Sequence, residues 1–355
     1  MSWRQAFFGI LFVVATAPSL AAREPFTVGG LTAQPGERVS GFLEVPEGVD
    51  EGTRIPVTLI HGTKPGPVLA LIAGTHGYEY APILALHWIR PQLRPNHISG
   101  TVILVHIANL PSFLGRTIYY SPVDGKNLNR VYPGKPDGTV SERIAYVITT
   151  EVIERADYVV DLHCGDGNEA LRPYTYWMKS GNPEVDEGSR QLALAFGLDH
   201  IVIDTDRPND PQASIYTANT AITRGKPAIT TETGQLGQTD FKQVVMALHG
   251  VWRLLRHLEM MKIPPMVEPL PPERVVWLDK YEVVHSPETG IFRAMVEPGH
   301  TVAEGTLLGI LSNLFGEKVA EIRAPFAGVV NYVVATPPVS QGEPLAMVSR
   351  IQPEK

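Results

Sequence analysis

Two imidazoles and a carboxylate are placed where they could do chemistry. His76 and Glu79 lie in the segment His76-Gly77-Tyr78-Glu79, and His163 closes Asp161-Leu162-His163. Together they make the three-ligand set of a catalytic zinc site, which leaves the fourth position for water or substrate. Glu232, at the end of residues 227–232, offers the general base that a hydrolytic metal site needs beside its water. Asn127-Leu128-Asn129-Arg130 precedes Tyr132-Pro133-Gly134 and adds amide and guanidinium donors. An arginine can hold a carboxylate through two parallel hydrogen bonds. A single His-x-x-Glu pair is more often a solvated surface pair than a ligand pair. The coincidence of all four segments is what favours a metal site.

Three strands would have to bring these residues together. Residues 68–73, 158–162 and 227–231 are short apolar runs, each followed at once by a candidate site residue or by Gly74. In open α/β sheets, ligands bind outside the carboxyl ends of the strands. The three-residue spacing of His76 and Glu79, at the mouth of a helix over 81–89 with Pro82 in its first turn, aims both at one point. Further strands are expected at 54–60, 101–107 and 200–204. Helices are expected from an N-cap at Ser141, over 184–196 and over 240–261. This alternation predicts an α/β fold, a mostly parallel mixed sheet with helices on both faces. Residues 109–139 form a loop dense in Pro, Gly and Asn, too long for a plain connection and therefore read as functional. Residues 205–219 are read as a polar loop rimming the pocket.

The ordered set Gly74-x-His76-Gly77-x-Glu79, Asp124-Gly-x-Asn127-Leu-Asn129-Arg130-x-Tyr132-Pro133-Gly134, Asp161-Leu162-His163 and Thr231-Glu232-x-Gly234 resembles the succinylglutamate desuccinylase/aspartoacylase family. That family is a branch of the zinc carboxypeptidase-like fold, and the likeness spans about residues 50–260. The resemblance implies one zinc ion and hydrolysis of an N-acyl amide. Under it His76, Glu79 and His163 match the zinc ligands and Glu232 the general base. Asn129 and Arg130 match substrate-binding and carbonyl-polarising positions, and Arg116 matches an upstream arginine that binds substrate. Asp161 would hold a ligand imidazole by its other nitrogen.

The rest of the chain sets bounds. With 355 residues, two domains are the prior. An apolar fraction of 44% with 19% charged residues is that of a soluble globular protein. A net charge of −7 without a basic stripe argues against nucleic acid as partner. Residues 1–22 read as a secretory signal peptide: Arg4, an apolar run over 6–17, then small residues to Ala22. The run is shorter than the ~20 residues a membrane span needs. Export, most simply to a periplasm, is therefore expected, with no stable membrane insertion after cleavage. Cys164 is the only cysteine and is read as a buried thiol, because neighbours on an extended chain point to opposite faces. Asp204-Thr205-Asp206 is read as a solvated loop rather than a cation site, and the nine other histidines as structural.

Residues 23–262 are thus assigned to the catalytic domain, and 263–273 to a proline-rich linker. Residues 274–355 form a small all-β domain resembling the barrel-sandwich fold of lipoyl and biotinyl carriers. No carrier lysine motif occurs there, and Lys318 is read as a hairpin lysine. The leading reading is a zinc-dependent amidohydrolase acting on a small acylated amino acid. Its rivals are a periplasmic zinc carboxypeptidase acting on peptides and a metal-stabilised binding protein without turnover. The sequence leaves the oligomeric state open.

Overall fold

The computed structural model describes residues 23–262 and 274–353. The expected signal peptide (1–22) and linker (263–273) lie outside the described residues. At the centre are four parallel strands, in the order Ser99–Val105, Lys64–Ala73, Tyr158–His163 and Ala228–Glu232. Antiparallel neighbours flank them: Thr53–His61 and Glu37–Val45 on one side, Tyr174–Met178 on the other. The sheet is therefore mixed, with its parallel part where the site residues lie.

Alternation along the central strands divides the core into two layers. On Lys64–Ala73, Ala70 and Ile72 face one apolar cluster while Leu69, Leu71 and Ala73 face the other. Helices Val140–Val147 and Thr217–Ile222 cover the first through Ile144, Ala145, Ala218 and Ala221. Helices Tyr80–Ile89, Pro183–Phe196 and Phe241–His257 cover the second through Ile83, Leu86, Leu192, Leu254 and Leu255. Helices thus stand on both faces, as the alternating pattern predicts.

Two local expectations are corrected. The helix after the long loop is capped by Thr139, not Ser141. Thr139 and Glu142 form a capping box, a more complete seal for the first turn than a lone hydroxyl. Ser141 already lies inside the helix, and its hydroxyl donates to Asp124 instead. The long loop is also not featureless, since it holds the short helix Leu110–Gly115 and a 3₁₀ turn at Leu128–Arg130.

In the C-terminal region a four-stranded sheet runs in the order Lys318–Arg323, Leu307–Ser312, Gly290–Ala294 and Pro338–Val339. It packs on Gly328–Val334 and Pro344–Ile351 around Leu308, Leu311, Val330, Leu345 and Val348. Lys318 is exposed beside the hairpin and pairs with Glu321 at 2.9 Å. This all-β region is not set apart from the main sheet. Its first strand, Val276–His285, pairs in parallel with His200–Asp204 and antiparallel with Pro344–Ile351. The hydrogen-bonded sheet runs on from one region into the other.

Candidate active site

Register alone assembles most of the site. In the parallel pair of Ala228–Glu232 with Tyr158–His163, Glu232 stands opposite His163 and Thr230 opposite Asp161. Asp161 and His163 share a face because they are two apart on one strand. On the other side Ile72 pairs with Asp161, so Lys64–Ala73 ends level with the candidate ligands. Gly74 turns the chain with φ of 72°. A Cβ on Gly77 would sit 2.4 Å from the carbonyl oxygens of Ser112 and Thr117, so only glycine lets this turn close. Glu79 is then the N-cap residue of helix Tyr80–Ile89.

His76, Glu79 and His163 are all buried, and one ligand atom from each lies within 4.8 Å of the others. Glu79 Oε1 is 2.7 Å from His76 Nδ1, and Glu79 Oε2 is 2.9 Å from His163 Nδ1. Both imidazoles therefore present Nδ1 to the centre, and each has its Nε2 occupied elsewhere. His76 Nε2 lies 3.1 Å from Asn127 Oδ1, and His163 Nε2 lies 3.0 Å from Asp161 Oδ2. A carboxylate or amide oxygen behind a ligand imidazole fixes its tautomer and orientation. Asp161 thus stands behind His163, and Asn127 stands behind His76 in the same way.

The charge of the site fits a divalent cation. Glu79, Asp161, Asp166, Glu169 and Glu232 crowd two imidazoles, and no lysine or arginine forms an ion pair with any of them among the described residues. Burial pushes the Asp166 carboxyl up to about 6, Glu169 up to about 7 and Glu232 well above the usual carboxylate range, and neighbouring carboxylates add to each. Burial also works against the Glu79 carboxylate, but the facing imidazoles of His163 and His76 outweigh it and bring that group to about 2. Buried negative charge without a counter-charge is costly, and a bound cation is the direct way to neutralise it.

From this end a cleft of about 730 Å³ runs across the face of the sheet. Tyr174–Met178 runs antiparallel to Ala228–Glu232, with Tyr174 opposite Glu232 and Tyr176 opposite Thr230. Tyr174, Tyr176 and Met178, alternate residues of one strand, thus carry the lining away from the ligands. Tyr281, Val283 and His285, alternate residues of Val276–His285, line the cleft as well.

The expected substrate residues divide. Arg130 lines the cleft. Asn129 lines it too, but its Oδ1 accepts hydrogen bonds from Thr217 N and Oγ1, and its Nδ2 lies 3.4 Å from His163 Nε2. It ties loop, helix and ligand together and presents no free acceptor. Arg116 is not brought to the cleft. It closes helix Leu110–Gly115 as a left-handed cap with φ of 51°, and its side chain is exposed. Arg207 lines the cleft instead, in the loop expected to rim it. Its Nε is bonded to Asp204, which is fully buried, leaving both Nη groups without a hydrogen-bond partner among the described residues. Asp204 is therefore the anchor of an arginine and not part of a solvated loop, and Tyr281 OH reaches it at 3.3 Å. A readable signal existed in the sequence: a carboxylate ending an apolar strand, with an arginine three residues on. His285, grouped with the structural histidines, is a cleft residue. Cys164 is buried as expected, and burial raises its thiol pKa well above the ordinary value.

Comparison with known proteins finds relatives of this chain. Residues 65–258 match the succinylglutamate desuccinylase/aspartoacylase catalytic domain. The N-alpha-acetyl-L-2,4-diaminobutyric acid deacetylase of Halomonas elongata is 30% identical over 322 residues, 88% of this chain and 91% of that protein. The product-bound structure of the ectoine utilization protein EutE (DoeB) from Ruegeria pomeroyi is similar with a TM-score of 0.79 and 28% identity, over 92% of this chain and 98% of that one. A succinylglutamate desuccinylase/aspartoacylase from Rhodobacter sphaeroides is similar with a TM-score of 0.77 and 25% identity, over 89% and 96% of the two chains. With both the sequence match and the fold extending over nearly the whole length, the chain belongs to the succinylglutamate desuccinylase/aspartoacylase family.

Proposed function

We propose that the protein is a zinc-dependent deacylase that hydrolyses the amide of a small N-acyl amino acid. The observation that carries this reading is the His76–Glu79–His163 cluster with Glu232 held beside it by strand register. Zinc bound there would polarise an acyl carbonyl and acidify a water. Glu232 takes the proton of the attacking water and then delivers it to the leaving nitrogen. Arg130 stabilises the negative charge that develops on the carbonyl oxygen. The free Nη groups of Arg207 bind the substrate carboxylate side by side. Amide and water become a carboxylic acid and an amine.

A base at that position supports turnover over a role in binding alone. The wall formed by Tyr281, Val283 and His285 supports a compact substrate over an extended peptide. The test is a hydrolysis panel with the zinc-loaded protein, covering N-acyl amino acids, their carboxamides and short peptides. N-alpha-acetyl-L-2,4-diaminobutyric acid, for which the Halomonas elongata relative is named, is the first compound to try. Cleavage confined to peptides would reject the proposal. We also propose export, on the pattern of residues 1–22. Its test is N-terminal sequencing of protein recovered from cell fractions, and an uncleaved cytoplasmic chain would reject it.

A further inference from the structure

Tyr216 takes no part in the chemistry above, yet its ring is fixed in the cleft from both sides. The residue before it, Ile215, has φ of 70°. A β-branched residue holds that left-handed conformation only where the surroundings impose it. Here the loop that carries Arg130 imposes it. Ile215 N–H donates to the Tyr132 carbonyl at 2.9 Å, and Tyr132 N–H donates back to the Ile215 carbonyl at 3.3 Å. The residue after it is tied to the same loop, because Asn129 Oδ1 accepts from Thr217 N at 2.9 Å and from Thr217 Oγ1 at 3.2 Å.

The ring so placed touches two cations. The Arg207 guanidinium carbon is 3.8 Å from the ring centroid, and that of Arg130 is 4.7 Å from it. A π face attracts each of them. Asp204 reaches Arg207 alone, through Nε. Arg130 donates to the Asn129 carbonyl, and no carboxylate forms an ion pair with it among the described residues. The Tyr216 ring is thus the element the two guanidiniums share. Its hydroxyl makes no hydrogen bond among the described residues, so the face of the ring is what acts.

We propose that Tyr216 is a positioning residue that sets the separation of Arg130 and Arg207, so that one N-acyl amino acid is gripped at once by its acyl carbonyl and its carboxylate. The substrate half of this statement rests on the deacylase reading; the positioning half does not.

Zinc-loaded wild type, Tyr216→Phe and Tyr216→Met are compared on an N-acetyl amino acid and its carboxamide, with metal content and melting temperature measured alongside. Tyr216→Phe keeps the ring and stays within about threefold of wild type in kcat and KM. Tyr216→Met keeps bulk without the π face. It raises KM for the acid about tenfold and lowers kcat about tenfold at unchanged zinc content. In the double variant with Arg207→Gln, KM for the acid is no worse than in Arg207→Gln alone, because the ring acts on KM through that arginine. Unchanged kinetics in Tyr216→Met, equal damage from Tyr216→Phe, or additive effects on KM would each overturn the proposal. Tyr216→Leu replaces the methionine variant if that one fails to fold.

A second readout needs no substrate. In arginine-labelled protein, the Nε–H resonances of Arg130 and Arg207 lie in the shielding cone of the Tyr216 ring. Both should move in Tyr216→Met and neither in Tyr216→Phe. If neither moves in Tyr216→Met, the positioning role is wrong whatever the enzyme hydrolyses. If both move while the wild type cleaves no N-acyl amino acid, the positioning role stands and the deacylase reading falls.

Discussion

The two ends of the cleft are built differently. At the reactive end, four side chains come from the ends of two strands and the turn after a third, all neighbours in the backbone ladder of a parallel sheet. At the far end, Arg207, Tyr216 and Tyr281 come from a loop, a helix start and a C-terminal strand, and they meet through side chains rather than through adjacent rungs of one ladder. Backbone pairing fixes positions regardless of what the side chains are, whereas side-chain contacts change with each substitution. On the proposed function, the chemistry is placed on the part of the fold that varies least in geometry. On the same reading, recognition of the substrate would rest on the part that can be altered without disturbing the sheet.

Substitutions at each end should differ in kind as well as size. Glu232→Gln keeps the shape of the base but cannot accept a proton. Turnover should fall on the order of 10²–10⁴-fold with zinc retained, and near-normal kcat would place the base elsewhere. His163→Ala should lose most bound zinc by metal analysis while the far end keeps its structure; full retention would break the ligand assignment. Arg207→Gln should act on recognition: KM for an N-acyl amino acid rises roughly 10- to 100-fold, with a smaller change in kcat and little change for the carboxamide. Equal effects on acid and carboxamide would show that Arg207 does not read the carboxylate.

A gentler test uses pH. In the metal-free protein Asp166, Glu169, Glu232 and His163 all have their folded pKa raised. A group raised in this way binds its proton more tightly in the folded state, so its contribution is complete below the unfolded pKa and is lost as pH rises through the folded one. Histidines whose pKa burial lowers, His106 to about 4 among them, act in the opposite sense with or without metal, so the readout is the difference: zinc should raise the melting temperature of chelator-treated protein by more at about pH 7 than at about pH 4.5. A zinc-dependent gain that shrinks over this window would contradict the charge reading of the reactive end. The smallest effect is expected from Arg116→Lys, which should stay within about twofold of wild type in KM and kcat, since the side chain lies outside the cleft.

The same division explains what the sequence disclosed. His76 and Glu79 are three residues apart at a strand-to-helix turn, and His163 and Glu232 end apolar runs, so composition and punctuation mark all four. What register adds is that Glu232 stands beside His163, a relation between segments about seventy residues apart that no local pattern carries. Arg207 is marked locally only by Asp204 three residues before it, and the rest of its setting is not legible. Its partners Asp204, Tyr216 and Tyr281 are polar or aromatic residues that read locally as loop and strand, and only the fold gathers them. Arg116 shows the converse error: an arginine in a functional loop looks available until the backbone turns at its position and leaves it outside. The alternate pairs Tyr174/Tyr176 and Tyr281/Val283 did carry a period-two signal for one lined face, but the sequence alone does not say which face meets solvent.

The joining of Val276–His285 to His200–Asp204 has a consequence for how the chain can be cut. A fragment ending at Lys262 would look like a self-sufficient catalytic unit. It would instead leave His200–Asp204 as a raw sheet margin, its backbone donors and acceptors open to the first strand that arrives from another molecule. The C-terminal region is in this respect a permanent selvedge on the catalytic sheet, and without it the fragment's natural fate is to add strands from its own copies.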